Sequence, residues 1–263
     1  MSLIMADERA VSETLGYIMI FGIVVAGIAM VFLIGSNIIA NTQESASFQG
    51  LEQSFAVVAS DIRSTAFEES PMMTTRVNID YGVLSLMPEK SEAVCNNMIV
   101  ICGNDLADVK YKQPIGVLTF NSQTYGKSIT LENGALVKMQ DGNGAYGSSM
   151  MLQPRIFYSL STNTLMVTVI NLKGTYGGYT GGIGNIQTQY QDDSRMDEFT
   201  GLSNAKICIK TNYTGAWKDF FMNSMPDISK TIDSTGDTDH WTNVTLHGVS
   251  KVIVVTYNIK VQI

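Results

Sequence analysis

Hydrophobic and polar positions divide the chain into three stretches with different rhythms. The first carries no charged residue from Thr14 to Gln43, and within it Leu15 to Ile34 is almost continuously apolar. About 20 apolar residues in a helix cross the hydrocarbon core of a bilayer, so this run predicts a helix of membrane-spanning length. A polar step follows, Asn41-Thr42-Gln43-Glu44-Ser45-Ala46-Ser47. Beyond it Phe48, Leu51, Phe55, Val58, Ile62 and Thr65 recur at alternating steps of three and four, the period of one helix face. Glu44, Glu52, Asp61 and Arg63 lie mainly off that face, and Pro71 closes the pattern. The two stretches read as one helix, or as a helix with a break near Ser45 to Gly50, from about Val11 to about Glu69. Its length is on the order of 90 Å. No bilayer is that thick, so the amphipathic half is expected to pack on the remainder of the chain.

The third stretch has the rhythm of strands. Alternating or β-branched runs occur at Arg76 to Met87, Met98 to Ile101, Gly116 to Thr124, Ser128 to Leu131, Ala135 to Gln140, Arg155 to Ser159, Leu165 to Leu172, Ala205 to Thr211 and Val252 to Ile263. Turn residues separate them, among them Glu132-Asn133-Gly134, Asp141-Gly142-Asn143-Gly144 and Ser161-Thr162-Asn163. Trp217 to Met222 reads as a short helix or turn. Two insertions, Gly174 to Glu198 and Pro226 to Asp239, are expected to be surface loops. The fold class is therefore α+β: a long N-terminal helix, hydrophobic and then amphipathic, packed on a C-terminal antiparallel β-sandwich or β-barrel-like head. The expected divisions are 1–10 as a leader, 11–70 as the helix and 74–263 as the all-β head.

Composition narrows the function. Charged residues make up 16% and the net charge is −7. An acidic chain releases no counterions from a phosphate backbone, so nucleic acid is not an expected partner. Three cysteines with no Cys-x-x-Cys pair exclude a zinc ribbon, and two histidines offer little for a metal or catalytic centre.

The approach to the apolar run is distinctive. A secretory signal has a basic front, a shorter apolar core and small residues at its exit. Here the front is Asp7-Glu8-Arg9, and no Ala-x-Ala site follows the run. The residues Arg9-Ala10-Val11-Ser12-Glu13-Thr14-Leu15-Gly16 resemble the start of archaeal type IV prepilins, a resemblance shared in part with archaeal flagellins. It is specific over about Arg9 to Ala40. The Gly-rich start of the flagellins is not matched by Val11-Ser12-Glu13-Thr14. The resemblance implies cleavage after Ala10, or after Arg9, by a prepilin peptidase, with the helix kept on the mature chain. An uncleaved signal anchor is the alternative. Ser12 and Glu13 suit a helix N-terminus, as cap and as favourable charge. The resemblance further implies that Glu13 offsets the new terminal amine. Gly16, Gly22, Gly27 and Gly35 each cost about 1 kcal/mol against Ala in an isolated helix, and small residues let helices approach closely.

The remaining motifs carry no catalytic constellation. The Gly177 to Gly184 run lacks the Gly-Lys-Ser/Thr ending of a phosphate loop. Asp237, Asp239 and His240, like Asp192, Asp193, Asp197 and Glu198, lack calcium-loop spacing. Two sequons, at Asn212 and Asn243, are candidate glycan sites. Cys95, Cys102 and Cys208 allow a Cys95–Cys102 or a Cys102–Cys208 bridge, or free buried thiols.

The expectation is a structural, non-enzymatic subunit of an extracellular filament, acting in adhesion and polymerising with itself through the N-terminal helix. It would need a prepilin peptidase and pilus assembly machinery, would sit in the cytoplasmic membrane before assembly, and would carry no cofactor or metal. The alternative is a membrane-anchored, non-polymerising ectodomain: a minor pilin or ligand-binding surface protein.

Overall fold

The computed structural model describes residues 4–80, 82–89, 97–122, 126–140, 147–225, 228–235 and 240–263. The chain divides into two compact units, Met1–Gln49 and Gly50–Ile263. The first unit is helical throughout its described length. Helix α1, Ile4–Phe67, continues into the second unit. It begins earlier than the expected Val11, because Met5-Ala6-Asp7-Glu8-Arg9-Ala10 holds no glycine or proline and is made largely of good helix formers. The break considered near Ser45 to Gly50 does not occur. Hydroxyl side chains in this region bond back onto the helix itself, Thr42 to the Ile38 carbonyl at 2.8 Å and Ser54 to that of Gly50 at 2.9 Å. The helix stops at Phe67. Glu69 just beyond it has φ of 53°, a left-handed residue that turns the chain away before Pro71.

The second unit is mostly β. Its strands are β1 (Met72–Asn78), β2 (Gly82–Met87), β3 (Met98–Cys102), β4 (Val109–Pro114), β5 (Val117–Ser122), β6 (Ser128–Glu132), β7 (Ala135–Met139), β8 (Ser148–Leu152), β9 (Ile156–Ser159) and β10 (Thr164–Lys173). They continue as β11 (Gly177–Thr180), β12 (Ile183–Tyr190), β13 (Arg195–Thr200), β14 (Asn204–Lys210), β15 (Lys230–Thr235), β16 (Trp241–His247) and β17 (Lys251–Gln262), with helix α2 (Thr214–Ser224) between β14 and β15. Among the described residues these strands form three sheets. The first runs β1-β12-β17-β10-β9, with β13 also on β17; the second runs β11-β2-β5-β6-β7-β8; the third runs β15-β16-β14-β3-β4.

The expected turn at Asn133-Gly134 forms. It joins β6 to β7 with both residues at positive φ, 48° and 68°, as a two-residue hairpin turn requires. Not every pairing is antiparallel. β10 and β17 run parallel, from Thr164 opposite Lys251 to Lys173 opposite Lys260.

Both expected insertions contain strands. Gly174 to Glu198 contains β11, β12 and part of β13, and Pro226 to Asp239 contains β15. The inward positions of β12 are Gly184, Ile186 and Thr188, so only one large apolar residue marks its buried face. Residues 226–227 and 236–239 lie outside the described residues.

One buried cluster spans the sheets, with Ile99 and Ile101 of β3, Val137 of β7, Val167 of β10, Ile207 of β14 and Val254 of β17. Helix α2 adds Ala216, Trp217, Phe220 and Phe221, a single face at helical spacing. The part of α1 inside this unit is buried as its periodicity predicts: Phe55, Val58, Ile62 and Thr65 have no exposed surface. Arg63 donates to the Gly134 carbonyl at 2.9 Å and also to that of Gln153. Thr65 meets Thr188 of β12 at 3.3 Å, and Thr75 of β1 donates to Asp61. Lys138 of β7 pairs with Glu52 at 3.3 Å. At the helix end the Arg155 guanidinium lies 3.9 Å over the Phe67 ring, which also meets Tyr257 of β17 edge-on.

Candidate functional site

The helix segment Leu15–Ser36 has a mean hydropathy of 2.8 and none of it is buried within the chain. Phe21, Val31 and Phe32 are 70–73% exposed, and the apolar side chains point in every direction around the axis. A helix apolar on all sides is satisfied by lipid or by other apolar helices, not by water. Its glycines meet no neighbour: a Cβ added at Gly16, Gly22, Gly27 or Gly35 would find nothing within 4 Å. Packing within the chain therefore does not require them. At about 100° per residue, Gly22, Ala26 and Ala29 share one face in the small-xxx-small pattern of close helix pairs. Gly16 and Gly27 share another face, and Gly35 lies apart from both. Arg9, Ala10, Val11, Ser12 and Glu13 lie within α1. Their side chains are outside the described residues.

The two sequons occupy different settings. Asn212 is exposed on the short bend between β14 and α2. Asn243 is half-buried in β16, hydrogen-bonded between β14 and β15 opposite Cys208 and Asp233.

Cys95 lies outside the described residues. Cys102 and Cys208 are brought together on neighbouring strands as free, buried thiols, so the Cys102–Cys208 bridge is not formed. The register explains this. Cys102 stands opposite Lys206 and Cys208 opposite Val100, which leaves the two cysteines on a diagonal rather than face to face. Burial pushes both thiols up, Cys208 to about 12.

Three of the four acids in the run near β13 stand in ion pairs: Asp193 with Lys173 at 2.9 Å, Asp197 with Arg195 at 2.7 Å and Glu198 with Lys251 at 2.7 Å. Among the described residues no group of three His, Cys, Asp or Glu converges on a cation position. Asp237 and Asp239 lie outside them. The glycine run spans β11, the turn and the start of β12; Gly181 and Gly182, at φ of 74° and 79°, form the connection.

One residue that sequence reasoning treated only as turn punctuation proves central. Glu132 ends β6 with 2% exposure. Its carboxylate accepts hydrogen bonds from Trp217 Nε1 on α2, from Thr211 Oγ1 at 2.8 Å and from Asn97 Nδ2. Burial pushes its pKa up to about 7, against the three donors, which lower it. The carboxylate thus ties β6, the chain after β14, α2 and the approach to β3 to one point. The signal for it in the sequence is Trp217, whose indole N–H needs an acceptor once buried. A separate surface cleft of about 720 Å³ lies where β10 and β17 end, lined by Lys173, Tyr176, Lys260 and Gln262 among others.

A protein-family model described as a family of unknown function, DUF7289, matches residues 9–262. A relative described as an uncharacterized protein of Archaeoglobus fulgidus is 26% identical over 274 residues, covering 87% of this chain and 88% of its own. Among solved structures, a cycloalternan-degrading enzyme from Trueperella pyogenes in complex with a covalent intermediate aligns at 7% identity and a TM-score of 0.08. That alignment covers 73% of this chain and 33% of the enzyme, and carries no argument.

Proposed function

We propose that this chain, which belongs to the family of unknown function DUF7289, is a structural subunit of an archaeal pilus-like extracellular filament. The observation that carries the reading is the apolar helix. Leu15–Ser36 presents large hydrophobic side chains on every face and buries none of them in its own chain. Two environments satisfy such a surface in sequence: the membrane before assembly, and a bundle of identical helices afterwards. In this reading the distal part of α1 packs on a β-sandwich-like head, so the element that builds the filament core also carries the head outward. The small face of Gly22, Ala26 and Ala29 supports close helix packing, and the family match beginning at residue 9 includes the whole apolar segment Leu15–Ser36. The archaeal relative supports an archaeal setting. Arg9 and Ala10 precede the cut, Val11 begins the mature chain, and the role is adhesion through the head.

A second reading rests on length. Twenty-two residues span about 33 Å as a helix, a good match to a single bilayer crossing. A membrane-anchored ectodomain that never polymerises would show the same segment.

Negative-stain microscopy of the sheared cell-surface fraction, combined with mass spectrometry of the subunit's N-terminus, tests the proposal. Filaments containing a chain that starts at Val11 or Ala10 support it. Recovery solely of membrane-embedded monomer beginning at Met1 overturns it in favour of the anchored ectodomain.

A further inference from the structure

The third sheet has one face on the core, through Ile99, Ile101, Ile207 and Ile209, and its alternate residues project to the other side. On that outer side Cys102 and Cys208 lie within hydrogen-bonding reach of each other. They line a recess of about 290 Å³ that opens to solvent, with walls from Val100, Leu106, Val109 and Trp241. Lys206 stands opposite Cys102 on β14 and two positions from Cys208, on the same face as both. Its charge favours the thiolate form of each.

We propose that Cys102 and Cys208 form a two-coordinate thiolate site for a soft monovalent cation, Cu(I). Three observations select this chemistry. The donors are sulfur, which prefers soft ions. Among the described residues no third His, Cys, Asp or Glu completes the cluster, so the three- and four-ligand sites typical of zinc and iron–sulfur centres lack donors. The diagonal placement of the cysteines disfavours direct bonding. Diagonal cross-strand Cβ atoms are separated by up to about 7–8 Å, whereas a disulfide needs about 3.5–4.5 Å. Two metal–sulfur bonds of about 2.3 Å each span the gap without moving the strands.

The binding step balances without electron transfer. Each thiol releases one proton to solvent, Cu(I) bonds both sulfurs, and the resulting bis-thiolate carries one negative charge. Lys206 offsets that charge. Of the acidic groups acting on Cys102, Asp105 and Asp108, the latter is paired with Lys110 at 2.7 Å. Because two protons leave, uptake weakens as pH falls.

The test is an anaerobic titration of the full chain in detergent micelles with Cu(I), in competition with a chromogenic Cu(I) chelator. One equivalent is expected to bind, with near-ultraviolet thiolate-to-copper absorbance and quenching of Trp241. Cys102→Ser and Cys208→Ser should each weaken uptake at least tenfold, and Cys95→Ser should leave it unchanged. If the serine variants fail to fold, Cu(I) should still protect Cys102 and Cys208 of the unmodified chain from alkylation, read by peptide mass spectrometry. No uptake, uptake that survives removal of both cysteines, loss in Cys95→Ser, alkylation unaffected by Cu(I), or a Cys102–Cys208 disulfide formed instead would each overturn the proposal.

Discussion

Trp217 donates its indole N–H to the carboxylate of Glu132, and neither side chain has appreciable contact with solvent. The pair joins helix α2 to the end of β6. Its energetics turn on the protonation state of the acid. The folded-state pKa of about 7 lies above the ordinary 4.5, so folding favours the protonated form. The stabilisation is complete below about pH 4.5 and is lost as pH rises through 7, roughly 3 kcal/mol across that window. Chemical denaturation of the full chain from pH 4.5 to 8 should show this decline, and Glu132→Gln should flatten it. Glu132→Ala leaves three buried donors without their acceptor and should cost about 2–4 kcal/mol at pH 4.5, a cost that shrinks toward pH 8 as the wild-type chain loses the stabilisation of its protonated acid. An unchanged pH profile in Glu132→Gln would assign the dependence to other groups.

The amphipathic part of α1 predicts a sharp contrast between neighbours. Phe55 is fully buried and Val57 is 51% exposed. Phe55→Ala should lower the stability of the second unit by about 3–5 kcal/mol. Val57→Ala should stay within about 0.5 kcal/mol. Thermal unfolding followed by near-ultraviolet circular dichroism distinguishes the two. Equal effects would contradict the burial of this face.

Under the proposed filament role, Gly22 separates folding from assembly. A side chain there meets nothing within the chain, so Gly22→Leu should not reduce helicity and should leave head stability unaltered. Within a packed helical bundle it would hold neighbouring backbones apart. Filament yield in the sheared fraction is therefore expected to drop at least tenfold, at an unaltered membrane level of subunit. Normal filament yield would remove the Gly22–Ala26–Ala29 face from the assembly contact.

The two sequons should differ in use. Asn212 is exposed on a bend, while Asn243 sits half-buried between two hydrogen-bonded strands. Glycopeptide mass spectrometry of surface-isolated protein is expected to find Asn212 occupied and Asn243 bare. The reverse pattern would require β16 to be modified before it pairs.

What could be read from the sequence follows from how each residue carries its signal. Phe55, Val58 and Ile62 announce their shared face because large apolar side chains at helical spacing form a stripe that burial satisfies and water does not. β12 stays hidden because two of its inward residues are Gly184 and Thr188, which hydropathy does not register as core. The parallel pairing of β10 with β17 is equally invisible, since a strand's pattern reports which face is buried and not which partner it meets. Glu132 was legible as a turn residue and illegible as a buried hub. A carboxylate goes inside only where Trp217, Thr211 and Asn97 arrive together, and those meet through tertiary structure. The helix glycines were visible at once, but only the structure shows that nothing in the chain itself requires them.

β17 is the strand on which β10, β12 and β13 all pair, and among the described residues β13 has no other strand partner. Ribosomes deliver these partners first. A nascent chain must therefore carry β10, β12 and β13 with unmet backbone edges until Lys251 to Gln262 emerges, and such edges are prone to mispairing between chains. The first sheet cannot mature progressively from its N-terminal end. Its completion is a single late event, which makes the interval before β17 arrives the point at which a folding helper would have the greatest effect on yield.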